Sequence, residues 1–140
     1  MSRVFWDTNI FIYFFEDHGL QGGRARALRE RMLLRGDQLI TSAMSVGEIL
    51  VKPRERQELN LCKLYEATIT STALVLPFDL NAARRFSMLR LNRSLRPPDA
   101  IQLACAAIAG IDLFITNDNR LSGLSVDGVQ FIVPLDRSPL

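Results

Sequence analysis

Short apolar runs alternate along the chain with longer stretches in which apolar positions recur at helical spacing. Val4-Phe5-Trp6 is the first run and predicts a buried strand that ends where Asp7 appears. Ile10 to Phe15 stays apolar and aromatic, and its period suits strand and helix equally. Gly22-Gly23 then leads into a predicted helix over 24–35, with Ala27, Leu28 and Met32 on one face and Gly36 as its stop. Leu39-Ile40-Thr41 predicts a second strand, and Ser42 to Leu50 begins the next helix, with Glu48 in its early turns. Pro53 is expected to break or re-aim that helix before the polar segment Arg54 to Asn60.

The second half repeats the alternation. Leu61 to Thr68 reads as a helix, Leu74-Val75-Leu76 as a third strand, and Asp79 as the cap of a helix from about Asn81 to Leu91. The cleanest helix opens at Pro97-Pro98, has Ala100 to Ala109 as its body and stops at Gly110. Leu113 to Thr116 and Val129 to Val133 predict strands four and five. Strands alternating with helices predict a three-layer α/β/α domain with a mostly parallel central sheet of about five strands. With no repeat, linker or low-complexity tract, residues 1–140 read as one domain.

Composition narrows the class. Apolar residues make up 48% of the chain, which argues for a packed core. A formal charge of +2 does not by itself imply a nucleic-acid partner. Cys62 and Cys105 fall in predicted helices without metal-ligand spacing, so buried reduced thiols and a cytoplasmic protein are expected. The N-terminal apolar run, broken by Asp7 and Asn9, reads as neither a signal peptide nor a membrane span, and no membrane partner is expected. His18 is the only histidine, which removes paired-histidine chemistry and the usual structural zinc sites.

Four acids stand in otherwise apolar segments: Asp7, Glu48, Asp99 and Asp118. In open parallel sheets, ligand sites collect beyond the carboxyl ends of the strands. Asp7 and Asp118 follow two predicted strands, and Glu48 and Asp99 lie in early turns of helices that can face the same edge. Ionised carboxylates in apolar surroundings are costly unless paired or metal-bound. Without His or Cys nearby, oxygen donors select Mg²⁺, with Mn²⁺ as a substitute, over zinc. The chemistry that suits such a cluster best is metal-assisted hydrolysis of a phosphodiester.

The segments Val4-Phe5-Trp6-Asp7-Thr8-Asn9, Ser45-Val46-Gly47-Glu48-Ile49, Pro98-Asp99-Ala100-Ile101-Gln102-Leu103-Ala104 and Ile115-Thr116-Asn117-Asp118 occur in an order that resembles the PIN-domain nucleases. The resemblance is to the VapC-type ribonuclease toxins of toxin–antitoxin pairs in particular. It implies a Mg²⁺-dependent endoribonuclease acting on an RNA substrate, the toxin of a type II pair with a cognate antitoxin partner. It further implies that Asp7, Asp99 and Asp118 hold the metal and that Glu48 completes the catalytic set. Thr8 and Asn9 would orient the first acid, Thr116 would supply a hydroxyl, and Asn117 or Asn119 would share the work of Asp118. A homodimer is the expected assembly.

Each acid has a plainer reading on its own. Asp99 suits a helix start, Asp118 a turn, and Glu48 an exposed helix face. Asp7 is hardest to explain that way, because it follows a buried strand with no adjacent basic residue. Asp79 and Asp112 read as a cap and a loop residue and serve as controls. Arg24, Arg26, Arg29, Arg31 and Arg35 read mostly as a solvated helix face, whereas Arg84, Arg85, Arg90, Arg93 and Arg96 have the better claim to RNA phosphates. Phe11, Tyr13, Phe14 and Phe15 read as core or dimer interface. The rival functions are a housekeeping RNA-processing nuclease and a non-catalytic RNA-binding scaffold. A phosphatase is disfavoured because Asn9 stands where its second acid belongs, and a phospho-accepting regulator because no lysine follows Lys63.

Overall fold

Val4, Phe5 and Trp6 are each at most 1% exposed, so strand β1 (Arg3–Trp6) is covered on both faces. That is the situation of a central strand in a parallel sheet flanked by helices. The computed structural model describes all 140 residues. After β1 come α1 (Thr8–Glu16), α2 (Leu20–Arg35), β2 (Gln38–Ser42), α3 (Ala43–Glu55), α4 (Leu59–Thr72) and β3 (Leu74–Leu76). They are followed by α5 (Leu80–Leu89), α6 (Pro97–Ala109), β4 (Ile111–Ile115), β5 (Val129–Val133) and a 3₁₀ turn at Leu135–Arg137.

The five strands form one sheet in the order β3-β2-β1-β4-β5, and every neighbouring pair is parallel. The chain lays β2 and β3 on one side of β1, then crosses over to place β4 and β5 on the other. The strand order therefore switches between β1 and β4, and their carboxyl ends flank the crevice where such sheets take ligands. Trp6 pairs with Ile115 there, and the Asp7 N–H donates to the Ile115 carbonyl at 3.0 Å.

Successive strand side chains point to opposite faces, so β1 feeds two cores. Val4 and Trp6 pack with Phe11, Leu28, Met32, Ile49 and Ile69, beneath α1 to α4. Phe5 packs with Ile40, Leu103, Ala106 and Phe114, beneath α6, and its ring stacks on Phe114 at 4.7 Å. Helix α5 packs against α6. These are the three layers expected from the alternation of elements.

Several boundaries differ from the sequence reading. The ambiguous Ile10–Phe15 run is helical: Asp7 caps α1, accepting from the Thr8 N–H at 2.8 Å. Gly22 and Gly23 do not precede α2 but lie inside it. A Cβ on Gly22 would sit 1.8 Å from the Asp17 carbonyl oxygen, so only glycine lets the start of α2 pass the end of α1. Pro53 does not end α3, which runs on to Glu55. Proline lacks one helical donor, but at Pro53 less than a turn remains. The Gln57 N–H then donates to the Arg54 carbonyl and the Glu58 N–H to the Pro53 carbonyl, with Gln57 in the left-handed region at φ 58°. This pair of bonds is the Schellman closure. Helix α4 is longer at both ends than the expected 61–68, and β4 begins earlier, at Ile111.

Cys62 and Cys105 are buried and unpaired, and burial pushes the Cys105 thiol up to about 11. No helix is long and apolar enough to cross a membrane.

Candidate functional site

Asp7 is the residue after β1, and Asp118 lies three residues beyond the end of β4. Glu48 is in the second turn of α3, which starts directly after β2, and Asp99 is in the first turn of α6. All four acids line one cleft of about 260 Å³, with Thr8, Asn9, Arg96, Gln102 and Arg120. The controls stay outside it. Asp79 caps α5 by accepting from the Ala82 N–H at 3.0 Å. Asp112 proves to be a β4 residue rather than a loop residue, and it accepts from the Arg3 N–H at 2.8 Å, at the amino end of the sheet.

Asp7 is the innermost acid, at 8% exposed. Its Oδ1 accepts from the Thr8 N–H at 2.8 Å and faces Gln102 Nε2 at 3.2 Å. Its Oδ2 accepts from the Thr116 hydroxyl at 2.7 Å. Burial pushes the Asp7 carboxyl above its ordinary value. The bonds from Thr116 and Thr8 pull it back in part, and the charges of Glu48 and Asp99 push it up again. The Thr8 hydroxyl donates to Glu48 Oε1 at 2.6 Å. Neither Asp7 nor Glu48 has a basic side chain within 4.0 Å.

The other two acids are neutralised from within. Arg120 donates from Nε and Nη2 to the two carboxylate oxygens of Asp118, at 3.0 and 2.5 Å. These bonds hold the Asp118 carboxyl below the usual range. The same Nη2 stands 3.6 Å from Asp99 Oδ2. Asp99 is nonetheless pushed up, by burial first and then by the charge of Asp118.

Four carboxylates against two guanidinium groups leave the cleft with a formal charge of −2 when all are ionised. No three acids are grouped tightly enough to hold one ion among themselves. Mg²⁺ does not need three, because it keeps several waters and binds through one or two carboxylates. The donor set is all oxygen, and the Asp7–Glu48 half is the part without a counter-charge. The residues present thus suit a hard divalent cation, with Asp7 and Glu48 as its nearest unpaired holders.

Gln102 is the residue that sequence reasoning left without a role. At 2% exposed it sits in the middle of α6. Its Nε2 reaches Ser45 Oγ at 2.6 Å, besides Asp7 and Thr8, and its Oε1 accepts from the Ser42 hydroxyl. One amide therefore ties α6, α3 and the carboxyl end of β1 together beneath the acids. The available signal was a single polar side chain inside the apolar run Ile101-Gln102-Leu103-Ala104.

Other expected neighbours are placed elsewhere. Asn117 turns its Oδ1 to the Leu135 N–H at 2.8 Å, and neither it nor Asn119 lines the cleft. Asn9 lines it and accepts from the Asn117 N–H at 3.3 Å, tying the two loops together. Among the arginines, Arg85 and Arg90 hold the carbonyls of Asp127 and Leu95, and Arg84 holds the Asn81 side chain. Only Arg96 of that group reaches the cleft. The α2 arginines are less idle than a solvated face. Arg26 and Arg31 donate to the carbonyls of Phe14 and Leu140, and Arg35 pairs with buried Asp37. Phe11 is 2% exposed, and Tyr13, Phe14 and Phe15 pack against the same core.

Several solved structures share this architecture. A toxin–antitoxin complex from Klebsiella pneumoniae is similar at 26% identity and a TM-score of 0.63, covering 91% of this chain and 95% of that one. A DNA-bound VapBC from Salmonella typhimurium matches at 22% identity and 0.69, covering 96% and 99%. VapC20 from Mycobacterium tuberculosis, described as a sarcin–ricin-loop-cleaving toxin, matches at 15% and 0.62, covering 79% and 86%. The latter two likenesses concern the fold alone. None of the curated proteins matches the chain significantly. The PIN domain family model, however, matches residues 4–126, from within β1, which Asp7 follows, to beyond Asp118. The family match takes in strands β1 to β4 of the sheet and all four acids of the cleft, and the chain belongs to the PIN domain family.

Proposed function

We propose that this protein is a Mg²⁺-dependent endoribonuclease and the toxin of a type II toxin–antitoxin pair. The observation that carries the reading is the Asp7–Glu48 pair: two adjacent acids without a counter-cation, at the switch point of a parallel sheet, in a polar cleft open to solvent. Mg²⁺ or Mn²⁺, when bound, supplies a polarised water nucleophile and neutralises charge developing on the scissile phosphate.

The chain's own residues supply position. Thr116 and the Thr8 N–H fix both oxygens of Asp7, and the Thr8 hydroxyl fixes Glu48. Gln102 braces the base of the pair from α6. Asp99 and Asp118 join Asp7 as holders of the ion and Glu48 completes the acidic set, while Arg96 at the rim offers a guanidinium to an RNA phosphate. RNA as the substrate is supported by the family membership and by the fold shared with a sarcin–ricin-loop-cleaving toxin. The toxin role and a cognate antitoxin partner are supported by the likeness to the Klebsiella toxin–antitoxin complex.

The test is cleavage of single-stranded and looped RNA by the purified chain, with EDTA and with Mg²⁺ or Mn²⁺ restored. Activity should vanish with EDTA and return with either ion. Asp7→Asn and Asp99→Asn should each remove nearly all of it, and Asp79→Asn almost none. Equal losses at Asp79 and Asp99 would refute the site. Growth arrest on expression without the antitoxin, relieved by co-expression, tests the toxin role separately.

A further inference from the structure

Arg120 shares the cleft with the four acids and is bonded to one of them at both oxygens. Two-point pairing of a guanidinium with a carboxylate is the strong form of this interaction. Asp118 Oδ1 also accepts from the Arg120 backbone N–H at 3.0 Å. That turn folds the side chain back over the acid two residues before it. The pairing is internal to one short loop, so it forms before any other molecule arrives. Its geometry also reaches further, because Nη2 lies 3.6 Å from Asp99 Oδ2. Half of the cluster thus carries its own cation, while the Asp7–Glu48 half carries none. The Arg120 side chain remains 44% exposed, so it can swing into solvent without unpacking the core.

Building on the reading of the cleft as a divalent-cation site, we propose that Arg120 is a resident counter-cation that competes with the metal for Asp118 and Asp99 and so sets the affinity of the site for its ion. The two-point guanidinium occupies the favoured lone pairs of both Asp118 oxygens, and a divalent ion that ligates them directly is repelled by its charge and competes for those lone pairs. An ion entering that half must displace the arginine. Two consequences of removing the guanidinium point the same way: the oxygens become free, and the positive potential that opposes an incoming ion falls. The family resemblance in the acids says nothing of this. It follows from where one arginine of the loop after β4 comes to rest.

The test is Mn²⁺ binding to the full chain without RNA, followed by calorimetry or by the EPR signal of the free ion. Wild type, Arg120→Gln, Arg120→Lys and Asp7→Asn are compared, each checked for folding by thermal melting. Arg120→Gln should bind Mn²⁺ roughly twofold to fivefold more tightly, the scale of a partly exposed charge pair. Arg120→Lys should fall between it and wild type, because it keeps the charge and loses the two-point contact. Asp7→Asn should weaken binding. If Arg120→Gln binds as wild type does, or more weakly, while Asp7→Asn weakens binding, the role given to Arg120 is wrong and the cation site stands. If Asp7→Asn leaves Mn²⁺ binding unchanged, the ion is held elsewhere, and both the site and the role of Arg120 fall. Should the glutamine variant not fold, the lysine variant decides alone: tighter binding supports the competition, and equal or weaker binding overturns it.

Discussion

Thr116→Val tests whether the cleft is held in shape for a charged Asp7. Thr116 is fully buried. Its hydroxyl donates to Asp7 Oδ2 at 2.7 Å and accepts from the Asp118 N–H at 3.1 Å. Valine has nearly the same shape, so the change leaves no cavity and removes those two bonds together with the long 3.5 Å contact from Asn9 Nδ2. A hydrogen bond to an ionised group contributes about 1.5–3 kcal/mol, and a neutral one about 0.5–1.5 kcal/mol. The Asp118 N–H is near solvent and regains part of its loss from water, so a total of about 3 kcal/mol is expected near neutral pH. The unfolding entropy of a chain this long is about 0.3 kcal/mol per kelvin, which turns the loss into a fall in Tm of about 10 °C. The assay is thermal or urea unfolding in EDTA, with Thr116→Ser as the variant that keeps the hydroxyl. The decisive comparison repeats Thr116→Val in an Asp7→Asn background. There the charge is gone and the cost should shrink to about 1 kcal/mol, so the cycle should report a coupling of about 2 kcal/mol. Equal costs in the two backgrounds, or a loss under about 1 kcal/mol in wild type, would show that Thr116 does not support an ionised Asp7.

Two further outcomes follow from the same structure. Asp7→Asn should raise the melting temperature of the metal-free protein at pH 7 and shrink the further rise on adding Mg²⁺. Burial holds the folded carboxyl above its ordinary value of 3.8, so the wild type loses stability as pH rises from there through its folded pKa, and the asparagine variant does not. The gain should therefore close as pH is lowered towards 3.8. A gain that persists there would show that the charge is not its cause, and a loss at pH 7 would make Asp7 a structural acid. Gly22→Ala should cost several kcal/mol, because its Cβ would meet the Asp17 backbone, while Gly23→Ala, facing open space, should stabilise by about 1 kcal/mol. Unfolding in urea separates the two, and similar effects at both positions would contradict the packing of α2 on α1.

What the sequence alone determined about this protein was whatever neighbouring residues decide. Val4-Phe5-Trp6 is a strand because it is short, apolar and ended by Asp7; α6 begins at Pro97 and ends at Gly110 because of what proline and glycine do to a backbone. Four such segments in a recognised order made the acids Asp7, Glu48, Asp99 and Asp118 legible, because each stands out against its own apolar surroundings. Local rules erred where the chain turns between two packed helices. Gly22 read as leading into α2 yet lies inside it, confined to glycine by the Asp17 carbonyl, and Pro53 read as a break although the turn at Gln57 closes the helix two residues past its last helical residue. The working detail of the cleft belonged wholly to tertiary structure. Gln102 meets Asp7 across 95 residues of chain, and Thr116 meets it across 109. Arg120 is only two residues from Asp118, yet its reach to Asp99 depends on β4 lying next to β1 with α6 above it. Periodicity and capping act over a few residues, whereas which charges remain unpaired in a cleft depends on how strands are ordered and how closely the helices approach them.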